Sequence, residues 1–152
     1  MRASFFTELH KLMSENKDIV FITADLGYGL ADKIKQDYPE QFFNVQAAEQ
    51  AMIGVAIGMA LSGKIPICYS ITPFLLYRPY EAIALYLEGE QIPVIMVGSG
   101  RGQDYHHDGV SHWEGQFPFE MEYVKPETYP DMATCLQYAL NENKPLFISL
   151  KR

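Results

Sequence analysis

The chain has 152 residues, the length of one ordinary domain, and its 48% of hydrophobic residues are enough to form a buried core. Its 12 Lys and Arg residues against 19 Asp and Glu residues give a formal net charge of −7, which argues against binding to nucleic acid or to an anionic membrane. The N-terminus lacks the apolar core of a secretory signal, and Cys68 and Cys135 are too far apart for a zinc motif, so we expect a cytoplasmic protein with reduced thiols.

Segments with helical periodicity alternate with short apolar runs along the chain. Five helices are predicted, around residues 5–13, 30–38, 47–62, 72–80 and 129–142. Ser4 is the expected N-cap of the first helix, and Pro79 is expected to bend the fourth. Six strands are predicted, at residues 19–22, 42–45, 65–71, 93–97, 122–125 and 146–150, with a Gly- and His-rich loop over 98–113.

This alternation of strands and helices predicts an α/β fold with three α/β/α layers, a mostly parallel sheet of about six strands and a single domain over residues 1–152. Ligands of such folds bind beyond the carboxyl ends of the strands. Six polar residues follow predicted strands: Asp25, Thr72, His106, His107, Asp108 and His112. We therefore expect the functional site at this edge of the sheet.

Glu49 lies at the beginning of a very apolar helix. An acid in this position is often no more than a partner for the positive end of the helix dipole. Here the helix has almost no polar face, so we expect it to be buried on all sides and Glu49 to be functional. Gly54 and Gly58, four residues apart, would let another helix approach closely, which predicts a tight subunit interface.

Several segments in the same order resemble the pyrimidine-binding domain of transketolases and deoxyxylulose-phosphate synthases. The Ala-Glu-Gln at 48–50 is followed by a Gly- and Ala-rich helix and by Gly-Lys-Ile-Pro-Ile at 63–67. Asp25-Leu26 follows the first strand, and three rings in the segment 74–80 have the transketolase spacing. The segment 107–112, His-Asp-Gly-Val-Ser-His, is similar to the family's Asp-Gly-Pro-Thr-His loop. The resemblance extends from one end of the chain to the other.

The resemblance implies thiamine diphosphate as the cofactor, with Glu49 as its activating acid. In the family, a carboxyl group hydrogen-bonded to the ring nitrogen of the aminopyrimidine promotes the imino tautomer, which removes the thiazolium proton; this is general acid–base catalysis exerted on a cofactor. Phe74, Tyr77 and Tyr80 would cradle the flat ring, although their spacing alone would indicate core packing. Asp25 is the further cofactor-binding residue that the resemblance implies.

The substrate contacts are also implied by the resemblance. Asp108 would bind a donor hydroxyl, and His112 would contact the donor oxygen and shuttle protons near neutral pH. Arg2 and Arg152 fall where transketolases hold the substrate phosphate, a task that suits the paired N–H donors of arginine. The alternative of a metal site in the loop is disfavoured, because its His and Asp spacing fits no standard zinc motif, so no metal site is predicted in this chain.

Three positions depart from the family pattern around the substrate. Gly100 replaces a substrate-binding histidine, Gly29 replaces a serine, and His107 replaces the acidic residue before Asp-Gly. The departures leave the expected cofactor site intact and the sugar specificity open.

The chain also lacks the Gly-Asp-Gly sequence and the later Asn pair with which the family binds Mg²⁺ and the cofactor's diphosphate. The resemblance therefore implies a partner chain of the transketolase N-terminal type, which holds the diphosphate and Mg²⁺ and shares the cofactor. Self-association through the Glu49 helix would complete an α2β2 heterotetramer. The initial Met1 favours a natural subunit over an excised domain.

The expected activity is the transfer of a two-carbon ketol unit between sugars or sugar phosphates. One alternative is a subunit of a synthase or decarboxylase that acts on pyruvate or another 2-oxo acid, which the departures at Gly100 and Gly29 leave open. Another is a non-catalytic scaffold subunit, which the joint presence of Glu49, Asp108 and His112 disfavours.

Overall fold

A six-stranded sheet forms the centre of the computed structural model, which describes residues 1–152. The apolar runs of the sequence become strands that are covered on both faces, and three of them are buried at every residue. The strands are β1 (Ile19–Thr23), β2 (Phe42–Asn44), β3 (Ile65–Ile71), β4 (Ile95–Ser99), β5 (Glu122–Val124) and β6 (Leu146–Leu150). Their order is β2-β1-β3-β4-β6-β5.

Every neighbouring pair of strands is parallel. Across the middle of the sheet Phe21 pairs with Ile67, Ile67 with Ile95, and Ile95 with Leu146. The predicted sheet of about six strands is thus confirmed, and its parallel character extends to all five pairs. Strand β4 begins and ends two residues later than the predicted 93–97.

The helices lie between the strands, as the alternation predicts. They are α1 (Arg2–Glu15), α2 (Asp32–Asp37), α3 (Glu49–Leu61), α4 (Thr72–Tyr77), α5 (Tyr80–Ala82) and α6 (Tyr129–Glu142). A π-helical turn, Ile83–Gly89, continues α5, and short 3₁₀ turns occur at Pro39–Gln41, His106–Asp108 and Val110–His112.

Two local expectations about helix ends need correction or refinement. Helix α1 begins at Arg2 and no side chain caps it, so Ser4 lies within its first turn rather than at the N-cap. Helix α3 begins two residues later than predicted, because Gln46 has a positive φ of 60° and Ala48 is not helical. Pro79 separates α4 from α5, as expected of a residue that cannot donate a main-chain hydrogen bond.

Two hydrophobic clusters cover the two faces of the sheet and confirm the three-layer α/β/α architecture. Helices α1, α2 and α6 pack on one face, where α1 contributes Phe5 and Leu9. Helices α3 and α4 and the π-helical turn pack on the other, where α3 contributes Met52, Ile53 and Ala56. No helix combines the length and the apolar composition that crossing a bilayer requires.

The strand order changes direction between β1 and β3. The chain moves from β1 outwards to β2, returns through α3 to β3 on the other side of β1, and continues away to β4. The connections beyond β1 and β3 therefore diverge and leave a crevice at the carboxyl ends of these strands, the usual ligand position in open parallel sheets. Helix α3 begins at this crevice and brings Glu49 to it.

Candidate functional site

The carboxyl group of Glu49 is buried between α3 and β3. Only 2% of the residue is exposed. Ser70, near the end of β3, donates its hydroxyl to Oε1 of Glu49 over 2.8 Å. The crossover from β2 to β3 places the first turn of α3 beside the carboxyl end of β3, so the fold itself brings the two side chains together. One oxygen of a buried carboxyl is thereby fixed, and Oε2 faces the crevice.

The second oxygen of Glu49 is bound by Arg78. Nη1 of Arg78 donates to Oε2 over 2.6 Å. The guanidinium plane of Arg78 also lies over the ring of Phe74, with Cζ 3.7 Å from the ring centroid. Phe74 belongs to α4 and Arg78 follows its end, so the pair spans one helical turn. Glu49, Phe74 and Arg78 form one connected group.

The group lines a cleft of about 190 Å³ at the crevice between β1 and β3. Asp25, just beyond β1, also lines it, together with Ala24 and Leu26. The backbone of Asp25 has a positive φ of 53°, and its N–H donates to Oδ1 of Asn44 over 3.0 Å, which fixes this turn. Tyr28 donates its hydroxyl to Asp25 over 2.6 Å, and this hydrogen bond raises the pKa of Tyr28.

Of the three predicted aromatic residues, only Phe74 lines this cleft. Tyr77 donates its hydroxyl to the carbonyl oxygen of Gln116 over 2.8 Å, and desolvation raises the pKa of its phenol. Tyr80 lies stacked on Phe119, with ring centroids 5.1 Å apart. Tyr77 ends α4, and Tyr80 begins α5 beyond the break at Pro79. Cofactor contacts of Tyr77 and Tyr80 stay a prediction.

His112 lies beside the cleft, whereas Asp108 does not contact it. The ring of His112 meets the ring of Phe74 edge-on, with centroids 4.8 Å apart, and its Nδ1 is 3.0 Å from the hydroxyl of Ser111. Asp108 is exposed on the preceding 3₁₀ turn, and its carboxylate makes no hydrogen bond. Of the two predicted substrate residues, His112 therefore reaches the wall of the cleft and Asp108 does not. Their contacts with a substrate stay a prediction.

Arg2 and Arg152 come together on Tyr105, although they lie near opposite ends of the chain. Nη1 of Arg2 donates to the hydroxyl of Tyr105 over 3.3 Å. The guanidinium of Arg152 lies 4.9 Å from the centroid of the same ring. Neither arginine forms a salt bridge with a carboxylate. The main-chain N–H of Arg152 donates to Asp104 over 2.8 Å, but the two guanidinium groups have no salt-bridge partner and could bind an anion.

Tyr105 also explains the glycine at position 100. Gly100 has a φ of 87°, and a Cβ atom built there would overlap the ring of Tyr105. The hydroxyl of Tyr105 is 2.8 Å from that of Ser99, which anchors the ring at the end of β4. The departure at Gly100 is therefore a structural requirement, because Tyr105 fills the space that a side chain there would occupy.

The outer face of α3 differs from the expectation that this helix is buried on all sides. Met52, Ile53 and Ala56 pack on the sheet. On the other side Val55 is 41% exposed, Leu61 is 72% exposed, and Cβ atoms built at Gly54 and Gly58 meet nothing within 4 Å. One side of a helix can pack on the sheet of its own chain, so only that side is buried here.

No group of three His, Cys, Asp or Glu side chains is arranged to hold a metal ion. The rings of His106 and His107 lie side by side in a tilted arrangement, with centroids 3.7 Å apart, and both residues are exposed.

Three residues of the site, Ser70, Arg78 and Tyr105, were not predicted from the sequence. Ser70 had a usable signal, because it is a small polar residue near the end of an apolar strand. Arg78 had a weaker one, a charge within an aromatic segment. Tyr105 had none, because its role depends on how a long loop folds back.

Comparisons with known proteins agree with this geometry. The family model of the transketolase pyrimidine-binding domain matches residues 1–152. A 1-deoxy-D-xylulose-5-phosphate synthase of Dehalococcoides mccartyi is 31% identical over 97% of this chain and 24% of its own length. A putative transketolase C-terminal section of Methanocaldococcus jannaschii is 34% identical over 74% of this chain and 36% of its own length.

Solved structures give the same result. A split gene transketolase, described as an inactive beta4 tetramer, matches with a TM-score of 0.84 and 26% identity over 99% of this chain and 50% of its own. Transketolase from Leishmania mexicana matches with a TM-score of 0.85 at 17% identity, which supports the fold alone. The chain thus spans half or less of the proteins that it resembles. Because the family model matches the whole of it, the chain belongs to the transketolase pyrimidine-binding domain family.

Proposed function

We propose that the chain is the pyrimidine-binding subunit of a thiamine-diphosphate-dependent transferase, which moves a two-carbon ketol unit between sugars or sugar phosphates. The observation that carries this proposal is the position of Glu49. A buried carboxyl, fixed by Ser70 and facing an aromatic ring, lies at the point where parallel sheets bind their ligands. Residues 1–152 would act as one pyrimidine-binding domain.

The residues of the cleft fit one end of the cofactor. Phe74 offers a flat apolar face for an aminopyrimidine ring, and Oε2 of Glu49 would accept a hydrogen bond from a ring nitrogen when that nitrogen carries a proton. Ser70 would keep the carboxyl oriented, and burial strengthens each of these interactions. When bound, the cofactor supplies the thiazolium carbon at which a carbon–carbon bond next to a carbonyl group is broken and formed.

The substrate would lie between the cleft and the Arg2–Tyr105–Arg152 group. His112, which contacts Phe74, would hold or move a proton at the donor oxygen, and Asp108 would bind a donor hydroxyl once its turn closes on the substrate. The two arginines would bind the phosphate of a sugar phosphate through charge-assisted hydrogen bonds.

A partner chain of the transketolase N-terminal type would hold the cofactor's diphosphate and Mg²⁺. The chain has no Gly-Asp-Gly sequence, and one similar structure is described as a split gene transketolase. The exposed small-residue face of α3 would pair with the same face of a second copy and complete an α2β2 assembly. Location in the cytoplasm stays a prediction.

A second candidate is a synthase that begins from pyruvate or another 2-oxo acid. Two observations favour it: the matches over nearly the whole chain include 1-deoxy-D-xylulose-5-phosphate synthases, and Gly100 leaves no space for the histidine of transketolases. Two activity assays of the assembled enzyme would separate the two reactions, one with sugar phosphates as substrates and the other with pyruvate and an aldehyde. Turnover in the first assay supports ketol transfer, and turnover in the second supports the synthase.

The division between two chains is tested by cofactor titration. The chain is co-expressed with a candidate partner that carries a Gly-Asp-Gly sequence, and thiamine diphosphate with Mg²⁺ is titrated calorimetrically into each chain and into the mixture. Tight binding by the mixture alone is expected. Tight binding by this chain without a partner would contradict the shared site, and an inert mixture would favour the scaffold alternative.

The role of Glu49 is tested by its substitution in the assembled enzyme. Glu49→Ala and the isosteric Glu49→Gln should each lower the turnover number at least ~100-fold, because general acid–base groups contribute on this scale. Glu8→Gln is a matched control, since Glu8 is another buried carboxyl, on the opposite face of the sheet and bonded to Tyr129. Near-normal turnover in both Glu49 variants would rule out the assignment.

A further inference from the structure

Arg78 combines three properties in the cleft. Its guanidinium is flat, it stacks on Phe74 at 3.7 Å, and it donates a hydrogen bond of 2.6 Å to Oε2 of Glu49. The side chain of Arg78 is nevertheless 44% exposed, whereas Glu49 is almost completely buried. A partly exposed arginine therefore reaches inwards to a buried acid.

The same three properties describe the ligand that the cleft is proposed to bind. An aminopyrimidine that carries a proton on its ring nitrogen is flat, would stack on the aromatic ring, and would donate a hydrogen bond to the same carboxylate oxygen. Two flat groups cannot both lie on one face of Phe74 and both occupy Oε2 at hydrogen-bond distance. We propose that Arg78 is an internal stand-in for the pyrimidine ring, which binds Phe74 and Glu49 in the free chain and must leave before the cofactor binds. This inference rests on the proposed function of the Glu49 cleft.

The position of Arg78 in the fold suits such an exchange. It follows α4 directly and precedes Pro79, at the break between two helices, so its side chain is not locked in a continuous helix. Its exposed portion borders a wider concavity of about 840 Å³ that also contains Glu49, so the guanidinium can swing into solvent. In the free chain the stand-in supplies a counter-charge to a carboxylate that would otherwise be buried without one.

A purely structural ion pair is the competing explanation, and it predicts a different outcome. If Arg78 only stabilised the fold, its removal would leave ligand binding unchanged or weaker. If Arg78 is a stand-in, its removal should strengthen ligand binding, because the ligand no longer competes with the Arg78 guanidinium for Glu49 and Phe74.

The test measures binding of the pyrimidine half of the cofactor to the free chain. The probe is 4-amino-5-hydroxymethyl-2-methylpyrimidine, followed by ligand-observed NMR, and circular dichroism confirms that each variant is folded. Arg78→Gln should bind the probe about tenfold more tightly than the wild-type chain, as expected if the open cleft is populated at roughly one part in ten. Lys17→Gln is the matched control, because it removes one positive charge at the amino-end edge of the sheet, directly before β1.

A second variant and a competitor sharpen the measurement. Arg78→Lys keeps the charge but has neither a flat group nor a fork of donors, so it should also bind more tightly than wild type. In Arg78→Ala, free guanidinium ion at non-denaturing concentrations should displace the probe, whereas sodium ion should not.

The outcomes separate this inference from the proposed function. Tighter binding in both Arg78→Gln and Arg78→Lys, lost when Glu49→Gln is added, supports the stand-in. Equal or weaker binding in the two variants overturns it, and the cofactor role of the cleft survives if Glu49→Gln still abolishes binding. Absence of probe binding in the wild-type chain and in all variants overturns the stand-in, whereas the proposed function is decided by the cofactor titration of the assembled chains.

Discussion

The Glu49 carboxyl has one side-chain hydrogen-bond partner on each of its two oxygens. One oxygen is held by Ser70 and the other by Arg78. Ser70 comes from a strand and cannot move far, while Arg78 comes from a helix end and is partly exposed. The two partners therefore have different tasks: one fixes the orientation of the acid, and the other occupies the oxygen that faces the cleft.

The orienting task of Ser70 is testable by Ser70→Ala. Loss of its hydroxyl should lower the free energy of unfolding by about 1–3 kcal/mol, the usual cost when a buried acceptor loses a partner. It should also lower the turnover number of the assembled enzyme. Ser149→Ala is the matched control, since Ser149 is a buried serine on β6 that donates to Glu114. Equal turnover in the two variants would contradict an orienting role.

At the scale of elements, α3 connects two functions. Its first turn supplies Glu49 to the cleft, and its outer face carries Gly54, Gly58 and two exposed apolar side chains, Val55 and Leu61. A small-residue face lets a second helix approach closely, and an exposed apolar face favours burial against another surface. Assembly through this face would place two clefts near one another.

This face is tested by Gly54→Ala and Gly54→Leu. Since a Cβ at Gly54 meets nothing within 4 Å, both variants should fold, and Gly54→Ala should stabilise the free chain by about 0.5–1 kcal/mol through helix propensity. Gly54→Leu should prevent self-association in sedimentation experiments. Gln137→Leu is the control, because Gln137 is exposed on α6, on the opposite face of the sheet. A self-associated Gly54→Leu chain would exclude α3 as the interface.

At the scale of the whole molecule, the fold brings the two ends of the chain to one ring. Arg2 precedes the first strand of the sheet, Arg152 follows the last, and Tyr105 lies in the loop after β4. The sheet order places β4 beside β6, so the loop and the end of the chain meet. In a chain with a net charge of −7, two guanidinium groups without a salt-bridge partner lie together here, next to the carboxylate of Asp104.

The phosphate role of this site is tested with Arg2→Gln and Arg152→Gln in the assembled enzyme. Each should raise the KM for a sugar phosphate about tenfold, because one charge-assisted hydrogen bond contributes on this scale. The KM for the unphosphorylated sugar should not change, and Lys17→Gln should affect neither substrate. A uniform loss on both sugars would point to misfolding instead of phosphate binding.

The sequence alone determined the α/β architecture, the approximate element bounds and the position of Glu49 at a helix start. These features depend on local patterns: apolar runs of strand length, helical periodicity, and Gly or Pro at the ends of elements. Strand β3, helix α6 and strand β6 match their predicted bounds for this reason.

Only the tertiary structure decided which side chains meet at the site. The contact between Glu49 and Arg78 joins residues 29 apart, and that between Arg2 and Tyr105 joins residues 103 apart. Likewise, α3 is apolar all round in the sequence, yet only its packing on β3 decides which side is buried and which is left for a partner. Contacts over such separations are set by strand order and helix packing, which no local pattern specifies.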